Sequence, residues 1–383
     1  MRRLVFSLII LATAGLYVNM VYLLTDQADA ANSGTSATVA INDRKQLFIS
    51  YQLSHMTLRQ KVSSLLIMHT PGTNADEINN YLTTYQLGGL IFMGNNVPGS
   101  IDELATTTSK LQSDTKLPYL LAVDEEGGVV RRLSQDNYSS AIDLKNESPD
   151  ATEAAFQQRS NLLQQAGLNL NFGIVADVTA DSRSFIYQRV FGGDSTAVSE
   201  RVAAAVKGAN GLTLSTLKHF PGHGETESDS HTSVPVTTTS FDQWQQRDMP
   251  PFAAGIKAGA KVVMFGHLIY SAVDDAPASL SAKWHNILTN DLGFNGISIT
   301  DDMGMLQQSG DPNYADPINN SIQALAAGNT MLLFVSNNAG VDLTTNPDAL
   351  IDGLVAAVND GRLSQSLIDA NVRQTLNIRY DLQ

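Results

Sequence analysis

Short apolar, β-rich runs punctuate this chain at residues 65–69, 87–93, 118–124, 168–177, 212–219, 261–267, 296–301 and 330–335, and stretches with helical spacing of apolar residues separate them. A short apolar run bounded by polar segments reads as a buried strand. Strands that alternate with helices need crossover connections and therefore a parallel sheet. Eight such units closing on themselves predict the α/β class and, within it, a (β/α)8 TIM barrel as a single domain. Beyond the eighth run, Leu350, Leu354 and Val358 in 347–359, and Leu367, Val372 and Leu376 in 363–382, recur at helical spacing. These two helices are expected to close the barrel rather than to begin a second domain.

The N-terminus reads differently. Met1-Arg2-Arg3 precedes an uncharged run over 4–24, long enough to cross a bilayer and longer than the roughly 7–15 residues of an ordinary signal core. Residues 1–24 are read as a signal peptide or signal anchor, with the arginines left in the cytoplasm and the barrel outside it, anchored in the membrane or secreted. Ala28-Asp29-Ala30 offers a cleavage site, and 25–45, rich in Ala, Ser, Thr and Asn, reads as a flexible linker to a barrel domain over 46–383. The sequence has no cysteine, which excludes disulfides and a lipid-modified cysteine anchor. Composition excludes some partners: 24 Lys and Arg against 38 Asp and Glu give a net charge of −14, which argues against nucleic acid and against an anionic membrane surface.

Several of the apolar runs end in polar residues: Asp124, Asp177, Lys218-His219, His267 and Asp301-Asp302. Helix capping accounts for one or two of them, but several on the C-terminal rim of one barrel point to a site. The densest cluster is Lys218-His219-Phe220-Pro221-Gly222-His223-Gly224, continuing to Asp229-Ser230-His231. Pro221, Gly222 and Gly224 exclude regular helix, so a shaped loop presents these groups. In an extended loop Asp229 and His231 point to the same side, so the carboxylate can hold one imidazole nitrogen and leave the other free to move a proton. That makes His231 a candidate general acid/base. A zinc site of His219, His223 and His231, an anion-binding loop and an ordinary hydrogen-bonded turn stay open on the loop alone.

Taken in order, VDEEGGVVRRL (123–133), LNLNFGIVADV (168–178), RSFIYQRVFGGD (183–194), KHFPGHGETESDSH (218–231), FGHL (265–268), ASLS (278–281) and GISITDDMGM (296–305) resemble the signature of glycoside hydrolase family 3. The resemblance is to its single-domain NagZ-like β-N-acetylglucosaminidase (β-N-acetylhexosaminidase) branch, and it runs from about Met56 to the C-terminal helix. It implies a barrel enzyme that releases terminal non-reducing β-linked N-acetylglucosamine with retention, from peptidoglycan-derived glycans, through a covalent Asp glycosyl-enzyme. By motif position Asp301 is the nucleophile, with Asp302 its rival; His231 is the acid/base and Asp229 orients it. Asp124, Arg132, Arg189, Lys218 and His219 fall on sugar-binding positions, and neither metal nor organic cofactor is implied. One departure stands out: many members read Asp-Gln-Glu-Gly-Gly-Arg-Val where this chain has Val129 for the arginine, which leaves open whether an ion pair near the pocket is lost. A phosphorylase would share the histidine acid/base, and a surface glycan-binding protein could keep the pocket without turnover. Hydrolysis of an aryl N-acetylglucosaminide that depends on Asp301 separates the last from the first two.

Overall fold

The computed structural model describes residues 34–113, 115–335, 343–344 and 346–383. The expected signal or anchor segment, 1–24, lies outside the described residues, as does the first part of the 25–45 linker. From Gly34 the structure differs from that expectation, because Gly34–His55 is one helix. The Ala-rich composition that suggested a flexible tether also carries the strongest helix former. A compact unit spans His55–Gln383, so the barrel unit begins later than residue 46, the helix running across that boundary. Among the described residues no helix is long and apolar enough to cross a membrane.

Within that unit the barrel strands are β1 (Leu66–Met68), β2 (Gly89–Phe92), β3 (Leu120–Val123), β4 (Leu170–Val175), β5 (Leu214–Phe220), β7 (Val262–Phe265), β9 (Ile297–Asp302) and β10 (Met331–Phe334). Six lie wholly inside one of the apolar runs, and β5 and β9 each extend one residue past the end of theirs, to Phe220 and Asp302. They close in the order β1-β10-β9-β7-β5-β4-β3-β2, and every pairing is parallel. The remaining strands, β6 (Val236–Thr237) and β8 (Ile269–Tyr270), form a separate parallel ribbon. It joins the loop after β5 to the loop after β7. Two residues per strand are too few to show a period, so this ribbon is not legible in the sequence.

Alternation along each strand sorts the side chains. Ile67, Ile91, Leu120, Ala122, Val262 and Met264 pack in one buried cluster at the barrel axis together with Ile297 and Ile299, whereas Leu217, Val263 and Phe265 belong to the layer between sheet and helices. The terminal helices Asp348–Asn359 and Gln365–Tyr380 follow β10 as the pattern predicts. Ile378 and Leu382 pack against the axial cluster, and Arg379 donates to the carbonyls of Leu117 and Pro118 at the start of β3. The N-terminal end of the barrel is thereby plugged, and the C-terminal end is left for chemistry.

Candidate active site

The same period of two that fills the axis delivers the site. Leu120 and Ala122 of β3 lead to Asp124, Leu214 and Thr216 of β5 lead to Lys218, and Ile297 and Ile299 of β9 lead to Asp301; each polar residue shares the parity of the axial residues before it. They meet at the C-terminal rim, where Lys218 Nζ lies 2.9 Å from Asp124 Oδ1. A cavity of about 440 Å³ opens there. Seven of the eight residues singled out above line it: Asp124, Arg132, Arg189, Lys218, His219, His231 and Asp301. Asp229 stands behind His231.

Beneath the cavity floor two cations share one buried carboxylate. Glu126 Oε1 is 2.6 Å from Lys218 Nζ and 2.7 Å from Arg189 Nη2, with Arg189 Nε donating to Oε2 at 2.9 Å. Burial opposes ionisation of Glu126, but Arg189 and Lys218 outweigh it and pull its carboxyl down to about 2. Lys218 in turn is held above the usual lysine value, since Asp124 and Glu126 overcome the burial that disfavours its charge. Arg132 Nη2 lies 3.8 Å from Asp124 Oδ2. Arg189 also reaches His219 Nε2 at 3.2 Å, and His219 Nδ1 pairs with the buried Asp177 at 2.7 Å. Both nitrogens of His219 are therefore engaged, and among the described residues no three His, Asp or Glu side chains converge as a metal ion needs.

Asp177 carries a second duty, since its other oxygen accepts the backbone N–H of His223 at 2.7 Å and so ties down the loop that leaves β5. Further straps hold that loop. Trp244 donates its indole N–H to the Pro221 carbonyl at 2.9 Å, and Tyr270 its hydroxyl to Gly222 at 2.8 Å. Gly224 passes so close to β4's exit that a Cβ would sit 1.9 Å from the Val178 carbonyl oxygen, which requires glycine there. Beyond these anchors Asp229 Oδ1 accepts from both the backbone N–H of His231, at 2.8 Å, and its Nδ1, at 2.7 Å. Those bonds outweigh burial and hold the Asp229 carboxyl below its ordinary range. Among the described residues no group bonds His231 Nε2, and the His231 side chain is 56% exposed. Its free nitrogen can therefore exchange a proton with a bound molecule.

Asp301 and Asp302 separate by the same alternation. Asp302 Oδ1 accepts the backbone N–H groups of Gly304, at 3.0 Å, and Val335, at 2.9 Å, so it fastens the turn after β9 to β10. Asp301 accepts only from the adjacent Asp302 N–H, at 2.8 Å, among the described residues. Burial works against its charge, yet His219, His267 and Lys218 together hold its carboxyl below the ordinary value. Buried His267 supports this turn from below, bridging Ser279 Oγ at 2.7 Å and the Asp302 carbonyl at 3.0 Å.

Several supporting residues have no role assigned from the sequence. Glu126 sits in the VDEEGG run, where three acids in a row at a strand end were the available sign that cations lie opposite. Val129 is 68% exposed at the cavity mouth, and the buried pairs nearby, Glu126–Arg189 and Asp136–Arg159, form without it. Glu125 precedes Glu126 in the same run. Its Oε2 accepts the N–H groups of Arg132 and Leu133, both at 2.9 Å, while burial and its bond to Asp136 push its carboxyl up to about 8 from 4.5. A folded value above the unfolded one contributes stability that is complete below about pH 4.5 and lost as pH rises through about 8. Glu125→Gln keeps the acceptor and supplies a permanent donor for Asp136. It is expected to leave the melting temperature at pH 5 nearly unchanged and to raise stability at pH 8 by on the order of 1–3 kcal/mol, as a melting series across this range will show.

A parallel barrel whose rim joins an ionised axial carboxylate, two fixed cations and a carboxylate-paired imidazole has the makings of a site for acetal chemistry on a polyhydroxylated ligand. Residues 57–378 match the glycosyl hydrolase family 3 N-terminal domain, and this chain belongs to that family. It is 31% identical over 334 residues to a β-hexosaminidase of Xylella fastidiosa (strain 9a5c), covering 80% of this chain and 98% of that one. With a β-hexosaminidase of Nitrosomonas eutropha it shares 30% identity over 292 residues, or 72% of this chain and 82% of the other. Among solved structures, a family 3 β-N-acetylglucosaminidase from Paenibacillus superposes with a TM-score of 0.78 at 28% identity, covering 85% of this chain. This chain spans 63% of that protein, less than two thirds of its length. The β-N-acetylhexosaminidase of Beutenbergia cavernae gives a TM-score of 0.74 at 26% identity, with 85% of this chain and 99% of that one covered.

Proposed function

We propose that this protein is a retaining β-N-acetylhexosaminidase that releases terminal, non-reducing β-linked N-acetylglucosamine. The observation that carries the reading is that Asp301 and His231 line one cavity, the first ionised on the barrel axis and the second held by Asp229 with its outer nitrogen free. In the first step Asp301 attacks the anomeric carbon, the bond to the leaving oxygen breaks, and the proton on His231 Nε2 passes to that oxygen. In the second, His231 Nε2 takes a proton from water as its oxygen displaces Asp301, which returns the enzyme and frees the sugar. Asp124, Arg132, Arg189, Lys218 and His219 supply the donors and acceptors that fix the ring hydroxyls. Water is the proposed acceptor rather than phosphate, because residues 1–24 suggest that the barrel works outside the cytoplasm, where a sugar phosphate has little use. The same export expectation supports peptidoglycan-derived fragments as the natural substrates.

His231→Ala tests the acid/base role. Activated aryl N-acetylglucosaminides need little protonation of the leaving oxygen, so they should keep most of their rate, whereas alkyl or glycosyl leaving groups should lose roughly 10²–10⁴-fold. Equal losses on both would remove His231 from the proton path. Free N-acetylglucosamine should form at the same rate with and without millimolar phosphate, and accumulation of the 1-phosphate would make the enzyme a phosphorylase.

A further inference from the structure

The loop after β4 holds a residue to which neither the sequence nor the proposed mechanism gives a role. Phe185 sets its ring edge-on to His231, with centroids 5.5 Å apart and planes at 64°. It also leans on His223 at 5.9 Å, and it lines the same cavity as Asp301. Two bonds tie its immediate neighbours to the loop that bears the acid/base pair: Ser184 Oγ donates to the Thr226 carbonyl at 3.2 Å, and Arg183 Nη1 pairs with Glu227 at 2.8 Å. The same segment carries Arg189, which is locked onto Glu126 and His219. One stretch of chain therefore reaches both the buried sugar-binding cations and the exposed imidazole.

His231 needs such a contact. More than half of its side chain is open to water, and Asp229, its hydrogen-bonding partner, is itself 40% exposed. A hydrogen bond at Nδ1 fixes the distance to the carboxylate but leaves the ring free to swing about that bond. An edge-on aromatic neighbour adds a second point of contact that limits this swing. His223, buried against Phe185 and kept neutral because burial lowers its pKa to about 4, contacts the phenyl ring without adding a charge beside the imidazole.

We propose that Phe185 is the positioning residue of the acid/base, holding the His231 imidazole so that Nε2 faces the glycosidic oxygen. The inference rests on the proposed function, and the test separates the two. Wild type, His231→Ala, Phe185→Ala, Phe185→Leu and Phe185→Tyr are compared on an activated dinitrophenyl and on a methyl N-acetylglucosaminide. Phe185→Ala and Phe185→Leu should lose on the order of tenfold in kcat/KM on the methyl glycoside, a part of the 10²–10⁴ that general acid catalysis supplies, and far less on the dinitrophenyl one. Phe185→Tyr, which keeps the ring, should restore the methyl glycoside rate. Leu fills the space without a ring, so it reads out the aromatic contact even if the alanine variant melts early. Equal losses on both substrates, or a tyrosine variant no better than leucine, would overturn the inference. If His231→Ala itself discriminates between neither substrate, the proposed function fails first.

Discussion

Asp301→Ala should lower turnover by roughly four orders of magnitude or more, the scale seen when the nucleophile of a covalent mechanism is removed, while the protein stays folded. Four orders correspond to about 5.5 kcal/mol of transition-state stabilisation. The fold should survive because, among the described residues, Asp301 accepts one hydrogen bond, from its own neighbour. Its partner in sequence behaves in the opposite way. Asp302→Ala removes the acceptor for Gly304 and Val335, and leaving two such N–H groups unpaired costs about 1–3 kcal/mol each. Steady-state rates on an aryl N-acetylglucosaminide and melting curves for both variants check this contrast: Asp301→Ala should be inactive and stable, and Asp302→Ala should melt early.

Glu126→Gln should produce the largest loss of stability. The substitution keeps shape but deletes the negative charge that bridges Arg189 and Lys218 beneath the cavity, and removing one member of a buried ionic cluster typically costs about 3–5 kcal/mol. Against a total of about 5–15 kcal/mol for a domain, the melting temperature should fall by on the order of 10 °C. The effect has a pH signature. The Glu126 carboxyl goes from 4.5 to about 2 on folding, so its stabilisation is present above about pH 4.5 and is lost as pH falls toward 2. Wild type and variant should therefore differ at pH 7 and converge in acid; a gap independent of pH would show that packing, not charge, is what the mutation removes.

The barrel was readable because burial on both faces makes each parallel strand a continuous apolar run, and the polar residue ending a run marks where that strand reaches the rim. Alternation then sorts Asp301 from Asp302, though only once the parity of Ile297 and Ile299 is known to be axial. Glu126 escaped because its meaning lies in Lys218 and Arg189, which are distant in sequence and come to it only through closure of the sheet. Phe185 escaped for a similar reason, since an aromatic residue in a loop has no periodicity to mark its contacts. The helix Gly34–His55 shows the converse, a segment whose small residues read as flexible linker and are equally compatible with helix.

The central claim is a covalent bond between Asp301 and the sugar, and trapping that bond tests it most directly. Incubation with a fluorinated mechanism-based N-acetylglucosaminyl donor slows release of the glycosyl group, so the intermediate can be digested and its peptides sequenced by mass spectrometry. The account predicts a sugar adduct on Asp301 of the Ile299-Thr300-Asp301-Asp302 segment. An adduct on Asp302, or an intact enzyme that turns the donor over with inversion, would contradict it.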